Sequence, residues 1–178
     1  MTRPFPPAAP VQEIRFHRSP LPADLRAQVA SLELVALRDE ATLWGADGLA
    51  ETLAGYGTAI ATLHTPDGLA AYCLFSCIGE HAEIFQIATA PQQRRQGLAR
   101  QLLLSVLHAA TEAGCERMFL DVRAGNVAAC RLYQQIGFRT DRIRPNYYQG
   151  KPGARDALLM SCPLPAAFPT ETEASLTP

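Results

Sequence analysis

Polar and apolar positions alternate over Val11–Arg18, with Val11, Glu13, Ile14 and Phe16 marking the pattern, and this period of two predicts a first strand. Ser19-Pro20-Leu21-Pro22 is a turn. The period then lengthens. Leu25, Val29, Leu32 and Val35 or Ala36 form one stripe of a helix over Ala23–Glu40. Trp44-Gly45-Ala46-Asp47 breaks it, and Asp47 is the expected cap of a short helix through Leu53 or Ala54. Tyr56–His64, Leu69–Ile78 and His81–Thr89 return to strand character, separated by Thr65-Pro66-Asp67-Gly68 and Gly79-Glu80, and predict an antiparallel meander. Pro91 ends it. A helix over Gly97–Ala113 carries Leu98, Leu102, Val106, Ala109 and Ala113 inward and stops at Gly114. Met118–Val122 is a strand. Asn126 caps a helix through Ile136, with Ala129, Leu132, Tyr133 and Ile136 inward and Gly137 as its stop. Phe138–Asn146 and Ala157–Cys162 are two closing strands. The order is β-αα-βββ-α-β-α-ββ, a mixed α/β sheet in a single domain over residues 11–165, with residues 1–10 a disordered lead-in and 166–178 a mobile tail.

Composition narrows the function classes. The 178 residues are 48% hydrophobic and 19% charged with a net charge of −1, an ordinary globular balance that excludes a strongly basic nucleic-acid binder and leaves no direct nucleic-acid partner expected. No uncharged apolar run reaches the ~18 residues that cross a bilayer, and the first ten residues lack the apolar region of a secretory signal, so neither membrane attachment nor export is expected. The five Cys are read as reduced thiols of a cytoplasmic protein, with Cys73, Cys115, Cys130 and Cys162 in the core. His17, His64, His81 and His108 show no metal spacing, and no metal is expected. Charge is divided along the chain: residues 94–155 carry +7, residues 1–93 carry −5 and residues 156–178 carry −3. One part favours a polyanion and another a cation.

The chemistry concentrates in Arg94-Arg95-Gln96-Gly97-Leu98-Ala99-Arg100, between a strand end and a helix start. First-turn N–H groups have no intrahelical partner, the helix dipole is positive there, and Gly97 and the small Ala99 permit close approach. With Arg flanking, this is a cradle for a diphosphate. It is neither a Walker loop nor a dinucleotide fingerprint, which need glycines and an acidic residue that are not present.

Three further segments accompany that loop: Gln86-Ile87-Ala88-Thr89-Ala90-Pro91 before it, and Leu120-Asp121-Val122-Arg123-Ala124-Gly125-Asn126 and Leu132-Tyr133-Gln134-Gln135-Ile136-Gly137-Phe138 after it. In order and spacing they resemble the GCN5-related N-acetyltransferases (GNAT). Asn146-Tyr147-Tyr148 and Asp156-Ala157-Leu158-Leu159-Met160 are similar to the RimI-like branch, which acetylates the N-terminal alanine of a small-subunit ribosomal protein. The resemblance implies a mostly antiparallel sheet with a central splay, acetyl-CoA as co-substrate, and a protein N-terminus as acceptor. It places CoA contacts on Ile87, Ala88, Thr89, Arg94, Arg95, Gln96, Gly97, Leu98, Ala99, Arg100 and Asn126. It implies direct attack of an amine on the thioester, with Asp121 as general base and Tyr133 as general acid. An α-amine of pKa about 8 must first lose a proton.

Two departures stand out. The branch has Glu where this chain has Asp121, whose carboxylate reaches about 1.5 Å less far. A relay through water, or Glu83 on the preceding strand, is the alternative, and a plain role for Asp121 is to orient Arg123. The branch also has an acidic residue where Arg155 stands, which opens the acceptor to change. Tyr147, Tyr148 and Arg155 are the expected acceptor contacts, and Trp44 is read as packing. The competing acceptors are a lysine side chain, a polyamine or another small amine. A non-catalytic acyl-CoA-binding module is disfavoured by a Tyr at 133 and a carboxylate at 121.

Overall fold

The computed structural model describes residues 12–37, 43–148 and 156–165. The expected lead-in and tail, Val11, the last residues of the first predicted helix and Arg155 lie outside the described residues. The elements are β1 (Glu13–His17), α1 (Ala23–Ala36), α2 (Gly45–Leu53), β2 (Thr58–Thr65), β3 (Gly68–Ile78), β4 (His81–Thr89), α3 (Leu98–Glu112), β5 (Arg117–Arg123), α4 (Val127–Ile136), β6 (Arg139–Arg144) and β7 (Ala157–Pro163). Their order is the predicted one. The strands make one sheet, β1-β2-β3-β4-β5-β7-β6. Among the described residues every neighbouring pair is antiparallel except β4 and β5.

The sheet is buried on both faces at β2 and β3, which explains why β3 reads as a nearly continuous apolar run. On one face Ala61, Leu63, Cys73, Phe75, Ile84, Met118 and Leu120 pack against α3 and α4. On the other, Ile60, Tyr72, Leu74 and Ala88 pack against Leu25, Val29 and Leu32 of α1 and Leu49 and Leu53 of α2. Beyond those two helices this second face is open, and Glu83 of β4 and Asp121 of β5 stand exposed on it. Glycines stop α3 and α4 as predicted, with Gly114 and Gly137 at positive φ.

Two local expectations are corrected, and one open alternative is resolved. The α3 stripe closes on Ala110, not on Ala109 or Ala113, because a 3.6-residue period drifts over four turns. At the end of the α1 stripe Val35 is exposed and its alternative, Ala36, packs against the core, so the inward face runs Leu25, Val29, Leu32, Glu33 and Ala36. Asp47 is not the cap of α2. The helix starts two residues earlier, at Gly45, with Trp44 in the cap position and no side-chain cap of its own.

One turn constrains the fold sharply. Gly57 has φ +72°, its carbonyl accepts the Cys77 N–H at 2.9 Å, and a Cβ there would run into the Cys77 carbonyl. Positive φ and overpacking each carry a cost, so Gly57→Ala is expected to lose about 2–4 kcal/mol. Urea denaturation measures it, and a loss below ~1 kcal/mol would show that the β2–β3 end relaxes freely.

Candidate active site

The site begins as an interruption in the sheet. β4 and β5 pair from His81 opposite Arg117 to Ile84 opposite Leu120, and there the ladder ends. On its other edge β4 continues along β3, but with a bulge: Leu74 faces Gln86 and Phe75 faces Ile84, leaving Phe85 as the extra residue. The bulge reverses the alternation. Ala82 and Ile84 join the core under α3, whereas after Phe85 it is Ile87 that packs there, and Ala88 turns to the α1/α2 core. β4 therefore leaves β5 at the bulge, and the two strands fork. Among the described residues, no strand pairs with 85–89 on the β5 side.

The fork opens into a cavity of about 360 Å³. Ile87 from β4, Asp121 and Arg123 from β5, Asn126 just before α4, Tyr133 within α4, and Trp44, Tyr147 and Tyr148 line it. Asn126 also caps α4, accepting the Ala129 N–H at 3.2 Å. A second hollow, about 860 Å³, spreads over the open sheet face and shares Glu83, Leu120, Asp121 and Tyr147 with the first.

Three groups in the fork bear on proton transfer. Tyr133 is buried, its ring 5.7 Å from that of Phe138. Burial, with smaller contributions from Cys73, Cys130 and Tyr148, pushes its phenol far above the usual tyrosine range, so it stays protonated. Glu83 faces Phe119 in the parallel ladder, so Asp121 lies diagonally across on the same face. Partial desolvation, and then the Asp121 charge, raise the Glu83 carboxyl above the usual carboxylate range. Asp121 does not orient Arg123 in the way expected. Its Oδ2 lies 3.7 Å from a nitrogen of Arg144, and the Arg123 guanidinium lies 4.6 Å from the Tyr148 ring. Arg144 in turn lies 5.5 Å from the Tyr147 ring, and the two tyrosines meet edge to face at 5.1 Å.

Beyond Thr89 the chain passes through a 3₁₀ turn, Pro91–Gln93, into the loop before α3. Arg95 and Gly97 both have positive φ, 64° and 79°. Gly97 is the N-cap of α3, and nothing lies within 4 Å of where its Cβ would be. The helix start is thus open on the side a ligand would approach. Gln96 and the Arg95 and Arg100 guanidiniums are exposed there, Ala99 is half-buried, and Leu98 is buried and offers only its backbone N–H. Arg94 differs from its neighbours. Its guanidinium donates to the Thr89 carbonyl at 3.3 Å and the Ala36 carbonyl at 2.9 Å, tying the α1 terminus to the end of β4.

Sequence reasoning missed a buried polar chain beside the fork. The Glu33 carboxylate accepts the Trp44 and Gly45 N–H groups, each at 2.8 Å, and the Gln86 side-chain amide at 3.0 Å. Tyr72 donates its hydroxyl to Gln86 Oε1 at 2.5 Å. Its only trace in the sequence is a Glu on the apolar stripe of α1. Trp44, expected to be packing, lines the cavity and lies 6.2 Å from the Phe85 ring. No group of three or more His, Cys, Asp or Glu is arranged to hold a metal among the described residues, and none of their helices is long and apolar enough to cross a membrane.

The fold is shared with known proteins. The bS18-alanine N-acetyltransferase of Escherichia coli (strain K12) is 38% identical over 96 residues, which are 54% of this chain and 65% of that protein. The chain therefore aligns with just under two thirds of that relative. The corresponding Salmonella typhimurium protein is 36% identical over 102 residues, 57% of this chain and 69% of that one. The crystal structure of the ribosomal-protein-S18-alanine N-acetyltransferase from Escherichia coli superposes with a TM-score of 0.75 at 28% identity, covering 91% of this chain and 98% of that chain. The model of the acetyltransferase (GNAT) family matches residues 12–138, and the chain belongs to that family.

Proposed function

We propose that the protein transfers an acetyl group from acetyl-CoA to the α-amine of a protein N-terminus, an alanine such as that of ribosomal protein S18. The observation that carries this reading is the fork, which presents Tyr133 and two carboxylates, Glu83 and Asp121, to a single cavity. The open start of α3 receives the diphosphate through backbone N–H groups, with Arg95 and Arg100 supplying charge. The free edge of Ile87, Ala88 and Thr89 receives the amide-bearing arm of the co-substrate as a strand would be received. Asn126 contacts it from the start of α4. Arg94 acts on that edge indirectly, through Thr89.

In this scheme the acceptor enters from the open sheet face as a cation and is drawn by Glu83 and Asp121. The carboxylate pair, directly or through a water, takes the ammonium proton. The neutral amine attacks the thioester carbon, the C–S bond breaks, the Tyr133 hydroxyl gives its proton to the departing thiolate, and the proton that the new amide nitrogen sheds restores the phenol. Asp121 keeps the role the family likeness implies but shares it with Glu83. Tyr147 and Tyr148, braced by Arg144 and Arg123, form the acceptor side of the rim. The reaction belongs in the cytoplasm, where both substrates reside.

Mass spectrometry of acetyl transfer tests this. A peptide with a free N-terminal alanine is expected to gain one acetyl group. The same peptide with a blocked α-amine, with added lysines or replaced by a polyamine is expected to gain none at those added amines. Transfer to lysine or polyamine and not to the free N-terminus would overturn the α-amine assignment.

A further inference from the structure

Glu33 is buried at 3% exposure among apolar side chains of α1, α2 and the sheet. A carboxylate in such a place must be matched by donors. Its donors belong to two other elements: Trp44 and Gly45 at the start of α2, and Gln86 of β4. The first two replace the cap that α2 lacks. The third falls on the residue directly after the Phe85 bulge, and Tyr72 fixes that amide by occupying its oxygen. The Gln86 amide is therefore oriented without ambiguity, nitrogen toward Glu33. Trp44 is held by its backbone N–H to Glu33, and its ring lies beside Phe85, whose position the bulge sets. Leu37, Trp44 and Phe85 all line the cavity.

We infer that Glu33 is a positioning residue for the acceptor: its buried carboxylate locks the Trp44–Phe85 wall to the forking strand, and that wall holds the first residue of the acceptor chain. Glu33 itself touches no reacting atom. Its effect falls on acceptor binding, whereas the diphosphate loop keeps ties of its own, the Arg94 bonds to the Thr89 and Ala36 carbonyls. This rests on the proposed transfer to a peptide amine.

Glu33→Gln tests it, because an amide offers one oxygen where three donors converge and turns its own N–H toward one of them. The KM for the alanine peptide is expected to rise at least tenfold, with kcat within threefold and the KM for acetyl-CoA within twofold of wild type. Trp44 is the single Trp of the chain, so its fluorescence reports the wall directly. Acrylamide is expected to quench it more strongly in the variant. Gln86→Met, which breaks the strand tie and leaves the α2 cap, should move both readouts in the same direction and stands in if Glu33→Gln does not fold. Unchanged peptide KM and quenching in the folded variants would overturn the inference, as would an equal loss of both KM values and kcat. A wild-type protein inactive on every peptide would instead sink the acceptor reading. Quenching would then judge Glu33 alone, and no change in it would overturn the lock.

Discussion

Tyr133→Phe is expected to lower kcat by about 10²-fold or more while leaving acetyl-CoA affinity within twofold. The change removes one oxygen from a buried ring and keeps the packing against Phe138, so the fold should hold. The physical basis is the direction of its pKa. Burial keeps the phenol protonated through the whole neutral range, which suits a group that gives a proton to a thiolate and does not compete for the ammonium proton. For the same reason Tyr133 should not set either limb of the pH–rate profile near neutrality. Single-turnover acetyl transfer and a CoA titration separate the two quantities. Unchanged turnover would remove Tyr133 from the chemistry.

The carboxylate pair should be harder to disable one member at a time. Glu83→Gln and Asp121→Asn are each expected to cost about tenfold in kcat/KM, and the double variant about 10³-fold, because either carboxylate can relay a proton when the other is gone. The pH dependence gives the finer test. The base must be ionised, so activity falls toward acid as Glu83 takes up its proton. Its carboxyl is raised by partial desolvation and then by Asp121. Removing the Asp121 charge lowers it, so Asp121→Asn should move the acid limb to lower pH, and Glu83→Gln should abolish that limb in its present position. The folded protein holds this proton more tightly than the unfolded chain does. Glu83 thus works against stability as pH rises past its unfolded value, and Glu83→Gln is expected to be no less stable than wild type at neutral pH. A single Asp121→Asn variant as slow as the double would instead make Asp121 the sole base.

Much of this site is legible in sequence because its parts are local. Gly97 before an apolar stripe, Asn126 before another and Tyr133 one turn from Gly137 are short-range signals, and the structure places Asn126 and Tyr133 in one cavity. What sequence reading could not reach is relational. The Phe85 bulge is a property of how β4 registers on β3. Its faint trace is the adjacent apolar pair Ile84-Phe85, which breaks the alternation that runs from His81 to Ile84. Arg144 meets Asp121 only because β7 lies between β5 and β6. Glu33 is separated by eleven residues from Trp44 and by fifty-three from Gln86, so no local pattern announces that it caps one helix from another. Asp47 offered the ordinary local solution to that cap, and the tertiary contact won.

The fork also bears on solubility. A strand edge with free N–H and C=O groups normally invites another chain to add itself, and proteins guard such edges at the rim of a sheet with charge, bulges or short strands. Here the free edge of residues 85–89 lies in the interior of a seven-stranded sheet, and four rungs below it the flanking strands close together. A foreign strand can enter no farther than those rungs and cannot continue the sheet past them. The protein can therefore keep an unfinished edge exposed for a small extended molecule without presenting a template for aggregation.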